Sequence, residues 1–146
     1  MKIIQWNMTS YFTQFEELKN LIQETEPDCL CLQETRHGNK NAHPPSGYRI
    51  VQSTPNQNAQ QANNSNAPQQ RGVAILIGKK INYKIVPLSV PDPIEVVAAQ
   101  IYSGRYYTVC SLYLSPNQQV TKRDLVMLLE QLPKPFLILG DMNARQ

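Results

Sequence analysis

Residues 28–34 read Asp28-Cys29-Leu30-Cys31-Leu32-Gln33-Glu34. An unbroken apolar centre between polar ends, too short for a typical helix, fits a β-strand covered on both faces. Upstream, residues 2–6 read as another short buried strand. Between the two, Thr13 and Glu16 have the T-x-x-E spacing of a capping box. Phe15, Leu18, Leu21 and Ile22 then fall on one helical face. Pro27 ends that helix, because the residue before a proline disfavours the α region. The chain therefore opens as strand, helix, strand.

Downstream the pattern is mostly β. Tyr48–Ser53 reads as a strand, and Gly72 and Gly78 enclose Val73-Ala74-Ile75-Leu76-Ile77. Tyr83–Val90, Ile94–Tyr102 and Tyr106–Leu114 follow. The spacers Lys79-Lys80, Pro91-Asp92-Pro93 and Ser103-Gly104-Arg105 are short, which favours adjacent antiparallel strands. Thr121 and Asp124 then stand at capping spacing, with Leu125, Leu128, Leu129 and Leu132 on one helical face. Pro133-Lys134-Pro135 ends this helix, and Phe136-Leu137-Ile138-Leu139 leads into Gly140-Asp141-Met142-Asn143. The order predicts an α/β fold, a layered sandwich of mixed, mainly antiparallel sheets flanked by helices. The last strand is fully apolar and is expected to be a covered inner strand. The sequence stops seven residues after Leu139, so the domain reads as truncated at its C-terminus.

One stretch departs from this pattern. Residues 55–70 hold five Asn, five Gln, three Ala, two Pro and one Ser, with no charge. Such a composition cannot offset its ordering entropy by burial. It is expected to be a disordered insertion between two strands.

Length and composition narrow the class further. A chain of 146 residues, 41% apolar, suits one globular domain. No apolar run approaches the ~18 residues of a membrane span. The first residues turn polar too soon for a secretory h-region of roughly 7–15 apolar residues. Cys29, Cys31 and Cys110 lack the C-x₂₋₄-C pairing of a zinc site and read as buried thiols. His37 and His43 fall in a Gly/Asn/Pro-rich stretch and read as solvated loop residues. The net charge of +3 is uneven. Residues 1–35 carry two lysines against six acids, and residues 36–105 carry eight Lys and Arg against two acids. A basic middle beside an acidic start fits a polyanion surface next to a metal-binding acid.

Three expected strands end in polar groups: the first at Asn7, the second at Glu34, the last at Asp141 with Asn143. A carboxylate where an apolar strand emerges is costly unless it is paired or metal-bound. Two carboxylates with two carboxamides suit a hard cation such as Mg²⁺, which takes oxygen ligands and substrate phosphate oxygens. Taken singly, each acid reads better as a loop cap or as a partner of Arg36 or Arg145; taken together, their matched strand contexts favour a site.

Ile4-Gln5-Trp6-Asn7, Leu32-Gln33-Glu34-Thr35, Leu112-Tyr113-Leu114-Ser115-Pro116-Asn117 and Gly140-Asp141-Met142-Asn143 together resemble the endonuclease/exonuclease/phosphatase superfamily. Their flavour is similar to the apurinic-endonuclease-like domain of jockey-like non-LTR retrotransposons. The resemblance implies a DNA-nicking endonuclease domain at the start of a reverse-transcriptase polyprotein, intracellular and nuclear at its point of action. It implies Mg²⁺, with Mn²⁺ as a substitute, held by Glu34 with Asn7 beside it. Tyr113 would bond the scissile phosphate, Asp141 would orient or deprotonate the attacking water, and Asn143 would stabilise developing charge. DNA is the implied partner, with Arg36, Arg71, Lys79 and Lys80 as candidate backbone contacts, and so is the rest of the polyprotein.

Two departures qualify this. The superfamily's later Ser-Asp-His signature has no counterpart here, which implies that 1–146 is the N-terminal portion of one such domain, inactive alone. Thr9 stands where base-excision relatives carry Asp, which counts against abasic repair. The alternatives are a phosphatase or phosphodiesterase of the same superfamily, or a non-catalytic nucleic-acid-binding remnant.

Overall fold

The structure, a computed structural model, describes residues 1–38, 40–53, 72–116 and 119–143. The expected insertion at 55–70 lies outside the described residues. So do Arg71, Asn117 and Arg145.

The chain order is β1 (Ile3–Asn7), α1 (Phe15–Thr25), β2 (Cys29–Gln33), β3 (Tyr48–Gln52), β4 (Val73–Gly78), β5 (Tyr83–Val86), β6 (Glu95–Tyr102), β7 (Tyr106–Tyr113), α2 (Lys122–Gln131) and β8 (Phe136–Asp141). These strands form two four-stranded sheets, ordered β1-β2-β4-β3 and β5-β6-β7-β8. β1 pairs with β2 and β7 with β8 in parallel, and the remaining neighbours are antiparallel. Both sheets are thus mixed and mainly antiparallel, as the patterning predicts.

Alternation along the strands builds the layers. Cys29, Cys31, Val73, Ile75 and Ile77 of one sheet meet Val97, Ala99, Ile101 and Val109 of the other, forming the core between the sheets. On the opposite face of the first sheet, Leu30, Leu32, Ala74 and Leu76 pack against Leu18, Phe15, Leu21 and Ile22 of α1. On the outer face of the second, Leu112 meets Leu128 of α2, while Ala98 and Cys110 meet Leu132 just beyond it. Helix, sheet, sheet and helix stack in that order. β2 is fully buried because it has a sheet neighbour on both sides and a layer on each face.

Several expectations are corrected by tertiary contacts. The Thr13–Glu16 capping box does not form. α1 starts at Phe15 after Gln14, with no side-chain cap. Buried Tyr11 anchors the entry instead, through a backbone bond to the Thr35 carbonyl and a hydroxyl bond to that of His43. The Thr121–Asp124 capping box does form. β5 stops at Val86 because Pro87 has no N–H for the ladder. β4 and β5 are not adjacent, since the Lys79-Lys80 link crosses from one sheet to the other. Leu129 leaves the apolar face of α2 for solvent. β1 and β8 are outer strands among the described residues and only half-buried. Leu137 of β8 is 47% exposed, and among the described residues no further strand pairs with β8.

Candidate active site

The two parallel pairs send four strand C-termini to one end of the sandwich. Asn7 is level with Gln33, and Tyr113 is level with Asp141. Side chains close the cluster. Asn7 Nδ2 donates to Asp141 Oδ2 at 2.9 Å, joining the two sheets. The Tyr113 hydroxyl lies 3.5 Å from Glu34 Oε1. The Asn143 backbone N–H donates to Asp141 Oδ1 at 3.0 Å, and Asn143 Nδ2 donates to the Leu114 carbonyl at 2.6 Å. Asn7, Glu34, Tyr113, Asp141 and Asn143 therefore come together, although 134 residues separate Asn7 from Asp141.

The backbone bends sharply there. Thr9 (φ 61°), Glu34 (51°), Arg36 (53°) and Asn143 (45°) all adopt the left-handed region just past the strand ends. Each costs roughly 1–2 kcal/mol in a non-glycine residue, and such strain clusters at functional sites. Burial is the main cause that raises the Tyr113 phenol above its ordinary pKa, and the charges of Glu34 and Asp141 add to it. The phenol therefore stays protonated at neutral pH and remains a donor.

Asn7 carries the observation that bears on a cation. A carboxylate has no proton to offer, so the Asn7 amide must turn its NH₂ toward Asp141. That leaves Asn7 Oδ1 buried and without a partner. Such an orphan acceptor costs about 1–3 kcal/mol. Among the described residues no group of three or more His, Cys, Asp and Glu forms a metal cluster. The oxygen set here is one carboxamide and two carboxylates, which fits a hard cation that keeps part of its water shell.

Two polar residues without an assigned sequence role support this end. Gln33 and Ser111 point into the layer between the sheets, both fully buried. Gln33 Nε2 donates to Ser111 Oγ at 3.0 Å, and Ser111 Oγ donates to the Leu32 carbonyl at 2.9 Å. Gln33 Oε1 accepts from Gln5 Nε2 at 2.6 Å. This bridge ties β2, which leads directly into Glu34, to β7, which carries Tyr113. The signal was a polar residue inside each of two buried strands. Gln33→Leu is expected to cost about 1–3 kcal/mol in urea melts. A cycle with Ser111→Ala should be non-additive, because the two share one bond.

Neither histidine joins the cluster. His43 is exposed as expected, but His37 is 3% exposed rather than solvated. Its Nδ1 faces the Thr35 hydroxyl and its Nε2 faces the Ser53 carbonyl at 2.9 Å. Gly72 makes room for this pair, since a Cβ there would stand 2.4 Å from Thr35 Oγ1. Burial lowers the His37 pKa below 6.5. The unfolded chain then takes up the proton first as pH falls. Stability contributed by neutral His37 is present above about pH 6.5 and lost below it. Urea midpoints measured across this range should fall toward acid, with a smaller drop in His37→Gln.

The candidate backbone contacts divide. Arg36 is exposed, two residues past Glu34. Lys79 and Lys80 follow Gly78, at the opposite end of β4 from Val73, which pairs with Gln33 at the site. They do not join the cluster.

The sequence profile of the Endonuclease/Exonuclease/phosphatase family matches residues 4–146. A search of curated proteins finds no significant match. Among solved structures, the endonuclease domain of TRAS1, a telomere-specific non-LTR retrotransposon, is similar at 18% identity and TM-score 0.72, covering 99% of this chain and 60% of that one. A 3′ phosphatase from Neisseria, bound to a product DNA hairpin, is similar at 22% identity and TM-score 0.66, covering 98% and 58%. An AP endonuclease from Archaeoglobus fulgidus follows at 21% identity and TM-score 0.63, covering 99% and 58%. The chain thus spans about 60% of the length of the retrotransposon domain it matches. At these identities the likeness establishes the fold.

Proposed function

This chain belongs to the endonuclease/exonuclease/phosphatase family, and from that premise we propose that its strand-end cluster serves divalent-metal-dependent hydrolysis of DNA phosphodiester bonds. The setting we propose is the nicking endonuclease domain of a retrotransposon polyprotein that works in the nucleus beside a reverse transcriptase. The observation that carries the chemistry is the buried, partnerless Asn7 Oδ1 next to an Asp141 whose two oxygens are already fixed by amide donors. DNA is favoured over small phosphoesters by exposed Arg36, a cation two residues past Glu34 that can meet a DNA backbone. The likeness to a retrotransposon endonuclease and to a phosphatase bound to DNA points the same way.

Glu34 and Asn7 Oδ1 would hold Mg²⁺ or Mn²⁺. Bound there, the cation would neutralise phosphate charge and assist the leaving oxygen. Protonated Tyr113 donates its hydroxyl to a non-bridging phosphate oxygen. Asp141, held by Asn7 and Asn143, accepts the proton of the attacking water. Asn143, held by its bond to the Leu114 carbonyl and by its side-chain hydrogen bond with Tyr113, would stabilise charge developing on the phosphate. No described histidine reaches the cluster, so we expect this chain alone to bind metal and DNA but to nick poorly or not at all.

The test combines supercoiled-plasmid nicking with duplex binding, each with and without Mg²⁺. The expected result is duplex affinity that rises with Mg²⁺, a rise lost in Glu34→Gln, and little nicking. Duplex binding indifferent to metal and to Glu34→Gln would overturn the reading in favour of a non-catalytic remnant. Faster turnover of a small phosphomonoester than of plasmid would favour a phosphatase. Clear nicking that Glu34→Gln and Asp141→Asn abolish would keep the nuclease and overturn the expected inactivity.

A further inference from the structure

The loop that leaves β2 alternates in burial. Glu34 is half-buried at the cluster, Thr35 is 1% exposed, Arg36 is exposed and His37 is 3% exposed. The two less buried residues are the two in the left-handed region, at φ 51° and 53°. That backbone is costly for a residue with a Cβ, and it persists only where the surroundings over-determine it. No glycine relieves the loop before Gly38.

Thr35, between the two strained positions, supplies the constraint. Its N–H donates to the Gly72 carbonyl at 3.1 Å, and its carbonyl accepts from the Tyr11 N–H at 2.8 Å. Its hydroxyl stands 2.5 Å from His37 Nδ1. His37 Nε2 lies 2.9 Å from the Ser53 carbonyl, which can only accept. Nε2 therefore carries the proton, Nδ1 of the neutral ring is an acceptor, and the Thr35 hydroxyl donates to it. Gly72 closes the back of the pair, since a Cβ there would also stand 2.9 Å from His37 Nδ1. All three polar groups of Thr35 are thus engaged: by the chain after β1, by the residue before β4, and by a ring bonded to the residue after β3. A buried histidine with two partners can simply complete a core. This one bonds the residue that follows Glu34.

We infer that Thr35 and His37 are positioning residues, a buried hydroxyl–imidazole clamp that holds the left-handed turn at Glu34 and so aims its carboxylate at the strand-end cluster. Both act through Glu34. The consequence for metal affinity rests on the reading of Glu34 as the cation's ligand, and the consequence for the backbone does not.

The test takes two readouts from the full chain, at a temperature where every variant is folded. The first needs no metal. A positive φ brings the amide hydrogen close to the residue's own Hα, so Glu34 should give a strong nuclear Overhauser contact between them. Thr35→Val keeps the branched shape but removes the hydroxyl, and His37→Ala removes the acceptor. Each should weaken that contact. Each should also lower Mn²⁺ affinity, read from the broadening of Tyr113 resonances, by roughly 10- to 100-fold, as outer-shell partners of a metal ligand do. The double variant should be no weaker than the worse single one, because both changes remove the same bond. His37→Asn sets an amide oxygen where Nδ1 stood and should recover most of the affinity. Gly104→Ala, in the β6–β7 turn at the other end of β7 from Tyr113, controls for lost stability alone and should bind Mn²⁺ as the parent does. No Mn²⁺ binding by the parent, or equal binding by Glu34→Gln, would overturn the metal reading and leave the Glu34 contact to decide the clamp. An unchanged contact in folded Thr35→Val and His37→Ala would overturn the inference whatever the metal does. Unchanged Mn²⁺ affinity in both, or an equal loss in Gly104→Ala, would overturn it as well.

Discussion

Glu34→Gln is expected to weaken Mn²⁺ binding by roughly 100-fold or more. Even outer-shell partners of a metal ligand are worth about 10–100-fold, and this change removes the one carboxylate of the cluster without an amide donor on it. Asp141 is the poorer ligand, because each of its oxygens already accepts a hydrogen bond, from Asn7 and from Asn143. The fold should survive, since Glu34 is only half-buried and an amide oxygen can still accept from Tyr113. Paramagnetic broadening of Tyr113 resonances by Mn²⁺ reports binding directly. A thermal shift on adding Mn²⁺ gives a second readout, since a ligand that binds only the folded state raises its stability. Both should vanish in the variant. Retained Mn²⁺ affinity in a folded Glu34→Gln chain would remove the basis for a cation site here.

Gly140→Ala is expected to have the largest effect on stability. A Cβ at this position would stand 1.9 Å from the Leu112 carbonyl oxygen and 2.8 Å from its carbon. These are backbone atoms of β7, the strand that pairs with β8 in parallel register, so no side-chain rotamer can relieve the clash. Either β8 leaves β7, or the pairing shifts and takes Asp141 away from Asn7. The expected loss is several kcal/mol, a large part of the ~5–15 kcal/mol that holds a typical domain together. Urea titration should show a lower midpoint or a non-cooperative transition. Gly104→Ala is the contrast: its Cβ would meet nothing within 4 Å, and only its φ of +76° opposes the change, worth about 1–2 kcal/mol. Equal stability of the two alanine variants would show that β8 does not pack on β7 as described.

The glycine of Gly140-Asp141-Met142-Asn143 is thus required by backbone approach, while the acid beside it is required by the cluster, where it accepts from Asn7. Short signatures of this kind carry two layers of information. Asn7, Glu34, Asp141 and Asn143 were legible because a polar group at the tip of an apolar strand stands out in one dimension; Tyr113 entered only through the family resemblance. Gln33 and Ser111 were not assigned a role. A buried polar residue is recognisable only when its partner is known, and the two lie 78 residues apart. The lysine pair at 79 and 80 shows the converse. Charge counted along the chain placed it with Arg36, but β4 runs its full length between them and carries the pair to the far end.

Local patterning determined the elements themselves. Short apolar runs bounded by Gly, Pro or polar residues marked β2, β4, β6 and β7, and the period near 3.6 marked both helices, because each segment meets its burial requirement with its own residues. The tertiary structure alone decided which segments became neighbours: that β4 and β5 part into different sheets, that β8 pairs with β7, that Tyr11 and not Thr13 sets the start of α1, and that Asn7 meets Asp141. Those outcomes depend on contacts between residues far apart in the chain, whose free energy belongs to the pair and to the packing around it.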